Sequence, residues 1–109
     1  MEHRWNVRTP VSLNVIVDSP GAGIIRGRTT DVSFGGMYVE TAPSVAVDKN
    51  SVVDVSIPIV GQIHNAAALV VRTDPSGFGL MFTDFQLDTF NMLDTLFRRV
   101  RSTEQPATA

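Results

Sequence analysis

From Val11 to Val17 the apolar residues Val11, Leu13, Val15 and Val17 alternate with Ser12 and Asn14, the period-two pattern of a half-buried strand. Asp18-Ser19-Pro20-Gly21-Ala22-Gly23 then reads as a turn, because its residues break ladders or accept positive φ. A second strand is expected from Ile24 to Thr30, a tight loop from Asp31 to Gly36, and a short strand at Met37-Tyr38-Val39-Glu40. Alternation returns from Val52 to Pro58, with Val53, Val55 and Ile57 opposite Asp54 and Ser56. Gly61 marks the turn into an apolar strand from Ile63 to Thr73, and Asp74-Pro75-Ser76-Gly77 is a turn before a last strand whose inward row is Phe78, Leu80 and Phe82. The period changes after Phe85. Leu87, Phe90, Met92 or Leu93, Leu96, Phe97 and Val100 recur at helical spacing, with Asp88 placed to cap the start and Arg98, Arg99 and Arg101 in the last turn, where cations suit the helix dipole.

Six closely spaced strands followed by one amphipathic helix predict an all-β domain, a six-stranded antiparallel β-barrel capped by a C-terminal α-helix. The helix carries too much Leu and Phe on one face to stay uncovered. Packing on the barrel within one chain is expected ahead of a dimer contact, which implies a monomer or weak homodimer. The predicted organisation is one domain over residues 1–101: an arm to about residue 10, a barrel over about 11–85 and a helix over about 87–101. Residues 102–109 lack large apolar side chains and are expected to fray.

Composition narrows the functions. A chain of 109 residues with 43% apolar content supports one core. A net charge of −2, one Trp and one Tyr argue against a nucleic-acid surface but leave room for a small anionic ligand held by a few local arginines. Cysteine is absent, so no disulfide, thiolate nucleophile or cysteine metal site exists. Charges at the N-terminus are followed by no apolar run, and no stretch nears the roughly 20 apolar residues of a membrane helix, so a soluble cytoplasmic protein is expected. The two histidines, His3 and His64, are too far apart in sequence for a metal motif, and none is expected. Asp31 and Ser33 have no neighbouring His or Lys to act as a base, so an enzyme is not expected. Met37, Met81 and Met92 read as core gap-fillers.

Two segments exceed what a structural barrel requires. One is Arg4-Trp5-Asn6-Val7-Arg8, two arginines four residues apart just before the first strand. The other is Asp31-Val32-Ser33-Phe34-Gly35-Gly36, with Asp, Ser and Gly at fixed offsets between two strands. Each is weak alone, and their conjunction on this strand order is specific. Together they resemble the RxxxR and DxSxxG signatures of PilZ domains. Gly77-Phe78-Gly79-Leu80-Met81-Phe82 is similar to that family's last barrel strand, so the resemblance runs from Arg4 to about Arg101.

The resemblance implies a split-barrel receptor for the second messenger cyclic-di-GMP, with no cofactor, that changes conformation on binding and signals to a protein partner. Some PilZ-like proteins instead act as interaction modules without nucleotide, and that is the alternative. The site residues carried over are Arg4, Arg8, Asp31, Ser33 and Gly36, with Gly35 a lesser member and His3 and Trp5 as secondary candidates. The chemistry agrees. Arginine forks suit phosphate and the O6 and N7 atoms of guanine, and Asp31 offers an acceptor for guanine N1–H and N2–H₂. Ser33 can donate to phosphate or accept from the base, and Gly35 and Gly36 let backbone approach the ligand closely. Asp31 and Ser33 equally suit a turn that bonds its own backbone. His3 stands where many members carry a further arginine, a position that in the family influences whether one nucleotide or an intercalated pair is bound. Trp5 is suited either to stack on a base or to staple the arm to the barrel. Gly77 is expected to serve the turn and Gly79 a close approach within the strand.

Overall fold

The computed structural model describes residues 7–42, 46–59 and 61–104, with the side chains of residues 85 and 101–104 excepted. Its strands are β1 (Thr9–Pro10), β2 (Asn14–Ser19), β3 (Gly23–Val32), β4 (Gly36–Glu40), β5 (Val52–Ile59), β6 (Gln62–Asp74) and β7 (Gly77–Phe85), followed by helix α1 (Leu87–Glu104). All pairings are antiparallel in the order β3-β2-β5-β6-β7-β4, and β4 pairs back onto β3 to close a six-stranded barrel. Closure leaves no long open edge for another chain to extend.

The alternating residues behave as their pattern predicts. Val15, Val17, Val53, Val55 and Ile57 point inward with Ile25, Val32, Met37, Val39, Ala68, Val70, Phe78 and Leu80 to make the core. Leu93 and Phe97 of α1 complete it, so the helix closes the barrel within the chain. At its start Thr89 donates a hydrogen bond from Oγ1 to the carbonyl of Asn65, 3.0 Å away on β6.

Several expectations shift. The first strand begins at Asn14 rather than Val11, and Thr9–Pro10, assigned to the arm, form the separate strand β1 paired with Val32 and Asp31. The break between β1 and β2 is held by buried Thr29, whose Oγ1 accepts from the Leu13 amide at 2.8 Å and donates to the Val11 carbonyl at 2.6 Å. Strand β3 runs on through Asp31 and Val32, which reduces the expected Asp31–Gly36 loop to residues 33–35. Asp88 lies in the first helical turn rather than at the cap, since α1 begins at Leu87. The helix continues to Glu104, past the predicted end at Arg101; residues 105–109 lie outside the described residues. Met81 is not core: strand alternation turns it outward and 46% of it is exposed, whereas Leu80 beside it points in. The close approach expected at Gly79 falls on Gly77 instead. A Cβ on Gly77 would lie 1.9 Å from the Val39 carbonyl oxygen, so Gly77 serves the close approach, whereas Gly79 has ordinary contacts with Arg72.

Replacing Thr29 by Val keeps the shape and leaves the Leu13 N–H and the Val11 carbonyl without that partner. Thr29→Val is expected to cost about 1–3 kcal/mol, read as a lower urea midpoint at unchanged slope, with faster amide exchange at Thr9 and the Leu13 amide.

Candidate functional site

Strand β1 brings the two motif segments together. Pro10 faces Asp31 across the ladder, and two residues before it Arg8 reaches back to form an ion pair between Nη1 and Oδ1 of Asp31. The pair is largely open to solvent, with 58% of the Arg8 side chain and 30% of the Asp31 side chain exposed. Of the remaining arm candidates, His3, Arg4 and Trp5 lie outside the described residues.

The short loop after β3 is built from its own hydroxyl. Ser33 is 5% exposed, and its Oγ accepts from the amides of Gly35 (3.1 Å) and Gly36 (3.2 Å). The Ser33 amide donates to the Gly36 carbonyl at 2.8 Å. In this arrangement Ser33 serves the turn. Gly36 is buried in β4 opposite Met81, and a Cβ there would lie 2.0 Å from the Leu80 carbonyl oxygen. It permits β4 to approach β7. Gly35 is partly exposed and accepts from the Phe82 amide at 2.8 Å. Phe34 points into the protein, stacked on Phe90 and edge-on to Phe97, each at 4.9 Å between ring centroids. The motif loop is thereby fixed to α1.

Outside the barrel, Asp31 is the first member of a row that the sequence reading did not assemble. Asp31 faces Tyr38 on β4, Tyr38 faces Gly79 on β7, and Gly79 faces Arg72 on β6. Asp31, Tyr38 and Gly79 each lie beside inward-pointing residues and therefore face outward, and Arg72 is exposed beyond the register shift after Val70. The Arg72 guanidinium carbon lies 5.2 Å from the Tyr38 ring centroid. Tyr38 donates from its hydroxyl to Oδ1 of Asp74 at 2.6 Å, and the same oxygen accepts from the amides of Ser76 (2.9 Å) and Gly77 (3.1 Å). The sequence alone does not decide which side of β6 Arg72 takes; cross-strand register with Gly79 does.

This cluster titrates abnormally. Burial, then the bond to Asp74, pushes the Tyr38 hydroxyl up to about 12. The Tyr38 hydroxyl, helped by the two amides and Arg72, holds Asp74 below its usual value despite some opposing desolvation. For Tyr38 the folded value exceeds the unfolded one, so its contribution to stability is complete below pH 10 and lost as pH rises toward about 12. For Asp74 the contribution is present above its ordinary value of 3.8 and lost as pH falls through the lowered one.

A further concavity among the described residues lies elsewhere. A cleft of about 620 Å³ between the β5–β6 hairpin and α1 is lined by residues that include Ile59, His64, Met92 and Arg99, and by none of the motif residues. Shape alone would choose it. The motif face is instead a surface row that carries Arg8, Asp31, the Tyr38 ring, Arg72 and Asp74.

The PilZ domain family model matches residues 2–99. Among solved structures, the PilZ domain of CeSA from a cellulose-synthesizing bacterium is similar at 21% identity and a TM-score of 0.70, covering 88% of this chain and 99% of that one. The Bacillus subtilis inhibitor of motility, MotI/DgrA, is similar at 20% identity and a TM-score of 0.77, covering 96% of this chain and 54% of that one. No curated protein matches.

Two outcomes follow from the geometry. The single tyrosine makes its near-ultraviolet tyrosinate band a direct probe of Tyr38. The band is expected to rise near pH 12, and Asp74→Asn to move the midpoint part of the way back toward 10. Gly36→Ala is expected to destabilise the barrel by about 1–3 kcal/mol or more, measured by thermal unfolding, because carbonyl backbone occupies the space.

Proposed function

The chain belongs to the PilZ domain family, and on that premise we propose that it is a receptor for cyclic-di-GMP, whose binding reorders the N-terminal arm and signals to a protein partner. The observation that carries this reading is the Arg8–Asp31 ion pair, which unites the arm motif and the loop motif at one exposed place on the barrel. PilZ domains commonly serve as receptors for this nucleotide and are typically binding and regulatory modules rather than enzymes.

The ion pair gives the binding step its chemistry. Without ligand, Arg8 and Asp31 satisfy each other, and an exposed pair of this kind is worth roughly 0–1 kcal/mol. Little is lost when they separate. A phosphate then takes the Arg8 fork and the N1–H and N2–H₂ edge of a guanine takes the Asp31 carboxylate, two charge-assisted interactions in place of one. Arg4, four residues earlier, supplies a second fork from the same arm. Ser33 acts on this reading chiefly by holding the loop, since its oxygen already accepts two amides. Gly35, partly exposed, then contributes bare backbone at the loop's edge, and Gly36 lets β4 approach β7. Phe34 transmits loop movement to α1 through Phe90 and Phe97.

A second reading, an interaction module indifferent to nucleotide, draws on a different feature. Val52, Leu69 and Met81 face one another across β5, β6 and β7 on the outer surface, with Val52 56% and Met81 46% exposed. Such a row suits contact with a protein. Among the described residues no helix is long and apolar enough to cross a membrane.

The decisive experiment is calorimetric titration of the full chain with cyclic-di-GMP, with GTP as control and Arg8→Ala and Asp31→Ala alongside. Binding at micromolar strength or tighter, roughly −8 kcal/mol, weakened at least tenfold in either variant, supports the receptor. Absence of binding by a folded sample, or unchanged binding by Arg8→Ala, refutes it. A partner complex that forms equally with and without nucleotide would favour the second reading.

A further inference from the structure

The outer row on which Asp31 sits ends in a second group of the same chemical kind. Arg8 and Asp31 form an arginine–carboxylate pair at one end. Three strands away, Arg72 and Asp74 flank Tyr38 at the other. With neighbouring strands about 4.8 Å apart, the backbones at Asp31 and Arg72 are roughly 14 Å apart along the sheet, and the Arg72 side chain leans back across Gly79 toward Tyr38. A base anchored on Asp31 leaves Arg72 and Asp74 to a second recognition group of the ligand.

The second group is open to a ligand. Gly79, between Tyr38 and Arg72, presents no side chain, and the position of a Cβ there lies 3.6 Å from both Cβ and Nε of Arg72, which crosses over it. The Arg72 guanidinium lies over the Tyr38 ring, and as an exposed planar cation it is a group on which a base can stack. On Asp74, the bonds from Tyr38, Ser76 and Gly77 all go to Oδ1, which leaves Oδ2 as an acceptor on an exposed residue. A planar cation and a carboxylate oxygen side by side match a guanine, which offers acceptors at O6 and N7 and donors at N1 and N2.

We propose that Tyr38, Arg72 and Asp74 form a second purine subsite that takes the guanine-type base remote from Asp31, so that a two-base ligand lies across the barrel from β3 to β6. This inference rests on the reading of the chain as a dinucleotide receptor and adds the residues that would select two linked bases over one. Tyr38 is the positioning residue: it braces Arg72 from below and orients Asp74 by its hydroxyl. Arg72 and Asp74 touch the base.

The test is titration of the full chain and of Arg72→Ala, Arg72→Lys, Asp74→Asn and Arg8→Ala with cyclic-di-GMP and, separately, with GMP. The ring signals of the single tyrosine are followed by NMR in the same samples. Arg72→Ala is expected to weaken cyclic-di-GMP roughly tenfold to a hundredfold, the usual range for loss of base stacking, and Arg72→Lys not to restore it, since lysine has charge but no plane. The Tyr38 ring signals are expected to shift with cyclic-di-GMP in the wild type and in Arg8→Ala at higher ligand. Unchanged affinity in Arg72→Ala and Asp74→Asn, with Arg8→Ala still defective, would overturn the second subsite while leaving the receptor intact. No binding of cyclic-di-GMP by the folded wild type would overturn both. All three substituted residues are exposed, and thermal unfolding confirms that the variants are folded.

Discussion

The candidate site depends on one buried aromatic side chain. Phe34 leaves the short loop after β3 and enters the core between Phe90 and Phe97. Its burial holds the loop in a single place, and the Ser33 hydroxyl satisfies the loop's amides from within. With the loop anchored, Asp31 is kept at the barrel surface, where β1 delivers Arg8. The same contact makes the loop and the helix one packed unit, so a ligand that displaces the loop also acts on α1. Packed aromatic clusters shift between discrete arrangements more readily than they deform.

The division of labour within the DxSxxG segment follows from burial. Asp31 is outward and charged, Ser33 and Gly36 are inward and structural, and Phe34 is the anchor. Only the first of these presents its side chain at the surface. A motif can therefore be diagnostic of a binding site while most of its members serve to shape the loop. The glycine of the motif illustrates this, since its lack of a side chain is required by the Leu80 carbonyl rather than by any ligand.

Much of this was legible in the chain. Period-two alternation in Val11–Val17 and Val52–Pro58 identified strands and their inward faces because one side of each is buried, and helical spacing from Leu87 onward identified the capping helix. Arg8 and Asp31 were singled out because two weak motifs fell in the right order, and the structure pairs their side chains. What was not legible depends on register. Nothing local distinguishes Met81, which is outward, from a core methionine, or shows that Arg72 and Tyr38 share a row with Asp31. Two bulges, at Thr29–Asp31 and Val70–Arg72, reset those registers. Similarly, Thr9–Pro10 is too short to announce itself as a strand, and becomes one because β3 offers it an edge and Thr29 bridges the gap.

The central claim is that the ligand lies on the open face beside Arg8 and Asp31 and not in the larger cleft under α1. Backbone amide NMR of the full chain during addition of cyclic-di-GMP tests it most directly. The account predicts that the largest shifts fall on Arg8, Thr9, Asp31 and the 33–38 segment, with smaller ones following through Phe90 and Phe97. Shifts concentrated instead on Ile59, His64, Met92 and Arg99, with Arg8 and Asp31 unmoved, would contradict it.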